Sequence, residues 1–257
     1  MKVQGCTALV TGANQGIGRG FVEVLLERGA ARVYATARRP ETLADLVALD
    51  PKRVVALPLD ITNAAQRHAV FAQASDINLL INNAGIAGSE TPAERRFLGA
   101  SSLDDARTVM ETDCWAHVEM CRGFAPHLIR NNAANGSAII NIISIGALFC
   151  VIEYSSYSAA KSALAMATIG LRAELEPSNV SVHGVFTGAV ESRMSAKGTH
   201  AKATAPDHAR EVLSAVEAGK DDIYAGLGAQ AMYDEIRKDP EAFQRGRIAR
   251  YRSTPMK

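Results

Sequence analysis

Short apolar runs alternate with stretches of helical period along the whole chain. The runs fall at 7–11, 32–37, 54–58, 79–82, 138–143, 180–186 and 223–225, and most are continuous rather than alternating. Continuous apolar runs mark strands buried on both faces, as in parallel sheets. Helical stretches lie between them, near 17–29, 40–49, 62–75, 104–131, 156–176 and 206–219. Such alternation predicts right-handed crossovers and an α/β fold, with a doubly wound, mostly parallel seven-stranded sheet and helices on both faces. No linker, repeat or low-complexity tract divides residues 1–257, so a single domain is expected. Two irregular segments, 86–103 and 188–205, follow strands. Ligands of open parallel sheets bind outside the carboxyl ends of the strands, so these segments should wall a substrate pocket, with 188–205 as its lid.

Composition narrows the function more than the fold. Apolar residues make up 47% and charged residues 21%, as in a packed globular domain. The 28 basic and 27 acidic side chains leave a net charge of +1, which gives no electrostatic reason to expect nucleic acid or an anionic membrane as partner. No apolar run approaches the roughly 18 residues of a membrane span. Residues 1–5 lack the apolar stretch of a signal peptide, so a cytoplasmic protein is expected. Cys6, Cys114, Cys121 and Cys150 form no C-x-x-C pair and read as reduced core cysteines. The six histidines show no ligand spacing, and no metal site is expected.

The first strand runs into Thr11-Gly12-Ala13-Asn14-Gln15-Gly16-Ile17-Gly18, followed by an apolar-periodic helix with Phe21, Val24 and Leu25. Glycines let backbone approach a pyrophosphate, and the helix N-terminus offers free N–H groups and a positive dipole end. The spacing is G-x-x-x-G-x-G rather than G-x-G-x-x-G. A glycine cluster alone also fits a simple tight turn, but its place between first strand and first helix points to a Rossmann-type dinucleotide site.

Dinucleotide folds that take NAD place an acidic residue after the second strand, where it bonds the ribose 2′-hydroxyl. Here that strand ends in Ala37-Arg38-Arg39 with no carboxylate. Arginine pairs bidentately with a 2′-phosphate, so NADP(H) is expected over NAD(H), although two arginines at a strand end are also compatible with simple solvation. Asp60, before Ile61, has two readings: a contact to the adenine edge, or an acidic residue at a helix N-terminus beside the capping Thr62.

Tyr157 and Lys161 stand at i and i+4, on one face of a helix. A phenol titrates near 10, and a neighbouring ammonium draws it toward the working range of an acid–base catalyst. Ser144 follows the strand at 138–143, where its hydroxyl would hold a substrate oxygen. Any one of these features is common; their conjunction with the glycine turn is specific.

Taken together, Thr11–Gly18, Asp60-Ile61, Asn82-Asn83-Ala84-Gly85, Ser144, Tyr157 and Lys161 resemble the classical short-chain dehydrogenase/reductase family over nearly the whole chain. The resemblance implies an oxidoreductase, a carbonyl reductase or alcohol dehydrogenase, with a small-molecule substrate. It also implies that Gly12, Asn14, Gln15, Gly16, Ile17 and Gly18 bind cofactor, that Asn83, Ala84 and Gly85 support the sheet and line the ribose side, and that Gly188, Val190 and Ser192 meet the nicotinamide. Ser144 would polarise the carbonyl, Tyr157 move the proton, and Lys161 bind the ribose while lowering the Tyr157 pKa. A homodimer or homotetramer is implied, built on the helices at 104–131 and 156–176. The small-residue face Ser158, Ala159, Ser162, Ala163 and Ala167 would serve that contact, or pack on its own sheet.

Two departures stand out. Where the family has a catalytic asparagine this chain has Asp113, on an apolar stripe with Ala106, Val109, Met110, His117, Met120 and Phe124. Its carboxylate is either a tolerated near-isostere or a partner of Lys161, reached through a water, that alters the proton route. Thr187 replaces the usual proline before Gly188 and removes one restraint on the lid. A nucleotide-binding regulator of the same fold, with weak or no catalysis, is the alternative function. Phe149, Val151, Ile152 and Met194 suggest an apolar pocket wall, with Glu153 and Tyr154 adding polarity.

Overall fold

The computed structural model describes residues 1–132, 135–196 and 201–253. Seven strands are present: β1 (Thr7–Val10), β2 (Arg32–Ala37), β3 (Val54–Pro58), β4 (Leu79–Asn82), β5 (Ser137–Ile142), β6 (Val180–Thr187) and β7 (Asp222–Ala225). They form one sheet in the order β3-β2-β1-β4-β5-β6-β7, and every pairing is parallel. All seven carboxyl ends therefore lie on one edge. The chain reverses its direction of travel across the sheet between β1 and β4, which opens a crevice there.

The helices are α1 (Gly16–Glu27), α2 (Ala44–Leu49), α3 (Ala64–Gln73), α4 (Asp104–Met110), α5 (Ala116–Arg130), α6 (Ser155–Leu175), α7 (Ala205–Glu217), α8 (Ala229–Lys238) and α9 (Pro240–Ser253). Neighbouring strand residues point to opposite faces. Ala8 and Val10 of β1 join a core with Phe21 and Leu25 of α1 and Val212 and Leu213 of α7. Leu9 instead packs with Val70 of α3 and Met120 and Phe124 of α5. Burial on both sides explains why the strand sequences are continuously apolar.

Several boundaries differ from the sequence reading for identifiable reasons. Asn63, not Thr62, caps α3 by accepting from the Gln66 amide at 3.1 Å. The Thr62 hydroxyl is engaged instead by Asp60, at 2.7 Å. The single helix expected at 104–131 is divided by a π-helical turn, Glu111–Trp115, between α4 and α5. Such turns add one residue to a helix and often sit at functional sites. Helices α8 and α9 escaped the pattern search. Ala229, Met232, Tyr233 and Ile236 do carry helical spacing on α8, whereas α9 is rich in charge and shows no apolar stripe. Among the described residues, no helix is long and apolar enough to cross a membrane.

Candidate active site

At the carboxyl end of β1 the turn is held by hydrogen bonds from the far side of the crevice. Thr11 Oγ1 accepts from the Asn83 and Ala84 amides at 2.8 and 3.0 Å. Asn83 Nδ2 donates to the carbonyls of Thr11 and Gly12 at 2.9 and 3.2 Å. The Asn83 side chain thus braces the glycine turn from β4. Gly12 has φ 65°, and a Cβ there would stand 3.0 Å from the Ala84 Cα. A Cβ on Gly18 would collide with the Gly12 carbonyl and the Asn83 amide. Gln15 precedes α1 without a side-chain cap bond, so no cap side chain occupies the first-turn N–H groups. Gln15 is exposed, Asn14 is half-buried, and Ile17 packs against the core.

Beyond β2, Arg38 and Arg39 are exposed, and neither guanidinium has an ion pair or hydrogen bond among the described residues. The following 3-10 turn (Pro40–Leu43) is fixed by Thr42, whose hydroxyl donates to the Arg39 carbonyl at 2.6 Å. Asp60 Oδ1 accepts from both the amide and hydroxyl of Thr62, while Ile61 is buried in the core. That favours the local turn role of Asp60 over a base contact.

At the end of β5, Ser144 caps a short 3-10 turn (Ile145–Ala147), its Oγ accepting from the Gly146 amide at 3.1 Å. Tyr157 and Lys161 occupy the first turns of α6, and the Lys161 Nζ lies 5.7 Å from the centre of the Tyr157 ring. Lys161 Nζ donates to the Ile142 carbonyl at 3.0 Å. Opposite it stands Asp113 on the π turn, wholly buried, with Oδ2 3.3 Å from Nζ. Asp113 Oδ1 accepts from the Ile86 amide at 2.8 Å, and His117 Nε2 meets the Ala84 carbonyl at 2.7 Å. Of the two sequence readings of Asp113, near-isostere or partner of Lys161 through a water, neither foresaw this direct contact, made from the π turn that carries the carboxylate. Gly85 packs closely on the same carboxylate: a Cβ there would sit 3.1–3.2 Å from the Asp113 oxygens.

These contacts set the ionisation of the cluster. Burial pushes the Asp113 carboxyl above the ordinary range, against the pull of Lys161 and the Ile86 amide. Burial alone would lower Lys161, but the Asp113 carboxylate and Tyr157 outweigh it and hold the ammonium above its usual value. Tyr157 is raised, chiefly by burial, with Lys161 and Ser144 pulling it down and Asp113 pushing it up. The lowered phenol expected from Lys161 alone is not what results: Lys161 acts in that direction and is outweighed. Burial, with Lys161, drives His117 down to about 3, so its imidazole is neutral.

A model of the short chain dehydrogenase family matches residues 6–203. The chain belongs to the short-chain dehydrogenase family of oxidoreductases. It is 36% identical over 192 residues to short-chain dehydrogenase PC-15 of Penicillium crustosum, covering 72% of this chain and 66% of that one. It is 31% identical over 240 residues to the 1-deoxy-11-beta-hydroxypentalenate dehydrogenase of Streptomyces avermitilis, covering 91% of this chain and 85% of that one. It superposes with a TM-score of 0.87 on a short chain dehydrogenase from Burkholderia cenocepacia, solved in complex with NADP, at 38% identity over 99% of this chain and 100% of that one.

Around the segment expected to wall the pocket stand residues the sequence reading missed. Helix α9 lies over the segment before α6: Phe243 meets Phe149 edge to face, Gln244 Oε1 accepts from the Cys150 amide at 2.9 Å, and Arg247 stands over the Phe149 ring at 5.3 Å. Arg95 is buried, with its guanidinium 4.3 Å above the Tyr154 ring. Periodicity could not signal these contacts, since each joins an irregular segment to a distant one. Phe149, Val151 and Ile152 are half-buried, whereas Met194 and Glu153 are exposed. Cys150 is also half-buried in this wall, so it is not the core cysteine expected; Cys6, Cys114 and Cys121 are buried.

In the segment 188–205, residues 197–200 lie outside those described. Gly188 makes its close approach to its own backbone, where a Cβ would meet the Leu227 carbonyl at 2.7 Å and Ala229 at 3.0 Å. Val190 is buried beside Gly226 rather than open to a ligand. Ser192 reaches the glycine turn, its Cβ 3.2 Å from where a Gly16 Cβ would stand. Thr187 is buried, and its hydroxyl has no hydrogen-bond partner. The small-residue stripe of α6 also turns inward: Ser158 is buried, and the Ser162 hydroxyl donates to the Ala147 carbonyl at 2.6 Å. Among the described residues, the large exposed apolar side chains along the two long helical stretches are Trp115, Ile129, Met166 and Ile169.

Proposed function

We propose that this short-chain dehydrogenase is an NADP(H)-dependent carbonyl reductase or alcohol dehydrogenase acting on a small molecule. The observation that carries the reading is the convergence of Ser144, Tyr157 and Lys161 on the strand edge that also bears the braced glycine turn. The residues fit a dinucleotide. Gly12 and Gly18 leave a cradle that a Cβ would close, α1 presents its N-terminus, and two unpaired guanidiniums follow β2. Gly12 through Gly18 would hold the pyrophosphate, Arg38 and Arg39 the 2′-phosphate, Asn83, Ala84 and Gly85 the ribose side, and Ser192 the face over Gly16. The NADP in the Burkholderia relative supports the same nucleotide here.

Bound there, a nicotinamide nucleotide supplies or takes up the hydride. Ser144 Oγ holds the substrate oxygen, and the Tyr157 hydroxyl gives that oxygen its proton in reduction and removes it in oxidation. Lys161, kept charged by Asp113, steadies the negative charge that develops there. Trp115, Met166 and Ile169 support self-association, which light scattering after size exclusion tests; a monomer would refute it. The function is tested by NADPH consumption across ketones, aldehydes, quinones and ketoesters. Turnover abolished by Tyr157→Phe, with NADPH binding retained, is the expected result. Binding without turnover on any of the panel would favour the regulator.

A further inference from the structure

We infer that Asp113 is a positioning residue of the proton machinery: its buried carboxylate, touching Lys161 and bonded to the Ile86 amide, offsets part of the Lys161 field at Tyr157 and, together with the burial of that phenol, keeps it a proton donor. This rests on the reading of Tyr157 as the acid–base group.

The argument starts from charge. A lone ammonium beside a phenol favours phenolate. A carboxylate 3.3 Å away on the ammonium converts a single charge into an ion pair, whose field falls off faster with distance. Both partners are almost completely excluded from solvent, so screening by water is weak. Lys161 Nζ donates to the Ile142 carbonyl at 3.0 Å and faces Asp113 Oδ2 at 3.3 Å as an ion pair.

No other charge in the cluster competes. From α6 come Tyr157 and Lys161; from the π turn, Glu111, Asp113 and Cys114; from α5, His117; and after β5, Ser144. His117 is neutral, burial raises the Cys114 thiol so that it keeps its proton, and Glu111 is exposed. Asp113 and Lys161 are therefore the two charges Tyr157 faces. The second carboxylate oxygen is tied to the loop after β4, so the charge balance at Tyr157 depends on the same loop that braces the glycine turn.

Alcohol oxidation needs Tyr157 as a base and carbonyl reduction needs it as an acid. With Asp113 in place, oxidation should gain rate only toward alkaline pH, while reduction holds across neutral pH. Asparagine at position 113 would keep an oxygen for the Ile86 amide and remove the charge.

The test is an ultraviolet titration of phenolate in the cofactor-free protein, with Tyr157→Phe subtracted to isolate Tyr157. The expected wild-type midpoint is at or above that of an ordinary tyrosine, ~10. Asp113→Asn should lower the midpoint, and the limb of alcohol oxidation should move to lower pH with it, raising the rate at neutral pH several-fold. A wild-type Tyr157 that ionises well below an ordinary tyrosine overturns the inference, and this arm needs no variant at position 113. An unchanged or higher midpoint in a folded Asp113→Asn protein overturns it equally. Absence of turnover with every substrate would refute the oxidoreductase reading, while the spectroscopic midpoints would still decide the role of Asp113.

Discussion

The rings of Phe149 and Phe243 meet edge to face with their centres 5.1 Å apart, joining the segment before α6, the proposed pocket wall, to the helix α9. Edge-to-face pairs contribute about 0.5–1.5 kcal/mol beyond the area they bury. Phe243→Ala should loosen the wall without touching Ser144, Tyr157 or Lys161. The expected outcome is a raised KM with kcat nearly unchanged. Steady-state kinetics showing a fall in kcat at constant KM would contradict this placement of α9.

The proposed preference for NADP(H) rests on Arg38 and Arg39, which have no ion pair or hydrogen bond among the described residues. Arg38→Ala and Arg39→Ala should each weaken NADPH binding about tenfold, the scale of one charge-assisted hydrogen bond, and leave NADH binding unchanged. Fluorescence titration with both nucleotides measures this. Equal losses for the two would remove the 2′-phosphate from the explanation.

Gly18 has no room for a methyl group. Gly18→Ala should destabilise the fold by about 1–3 kcal/mol, because the Gly12 carbonyl and the Asn83 amide must both move. Those groups brace the turn, so nucleotide affinity should fall with stability. A variant with wild-type unfolding and wild-type NADPH affinity would show that the turn tolerates movement.

Much of this was legible in the amino-acid pattern, and the limits are physical. The parallel sheet was readable because strands such as β1 and β5 are buried on both faces and so are apolar throughout. Tyr157 and Lys161 were readable because i and i+4 spacing fixes a shared face. The direct contact of Asp113 with Lys161 was not, since a π turn is set by tertiary packing and leaves the apolar stripe almost unaltered. Phe243 and Arg95 were hidden because their contacts cross long sequence separations from segments without periodicity.

His208 makes the fold sensitive to acid. It is fully buried on α7 against the Phe21 ring, neither ring nitrogen has a partner among the described residues, and burial lowers its pKa to about 4. The unfolded chain binds this proton near pH ~6.5, so the stability it confers is complete above that value and is lost as pH falls toward 4. The loss amounts to about 3 kcal/mol. His208→Leu should flatten the decline of the unfolding temperature over this interval; an unchanged slope would assign the acid sensitivity to other groups.

The π turn at Glu111–Trp115 has a consequence for insertions and deletions. The π turn absorbs one residue, so deleting one there, Thr112 for instance, would restore a continuous α-helix with α4 and α5 still in phase. Met120 and Phe124 would stay on the sheet, while Asp113 would lose the turn that holds it beside Lys161. Point substitutions at position 112 should be mild by comparison. The extra residue therefore serves the placement of the Asp113 carboxylate rather than the packing of α5 on the sheet.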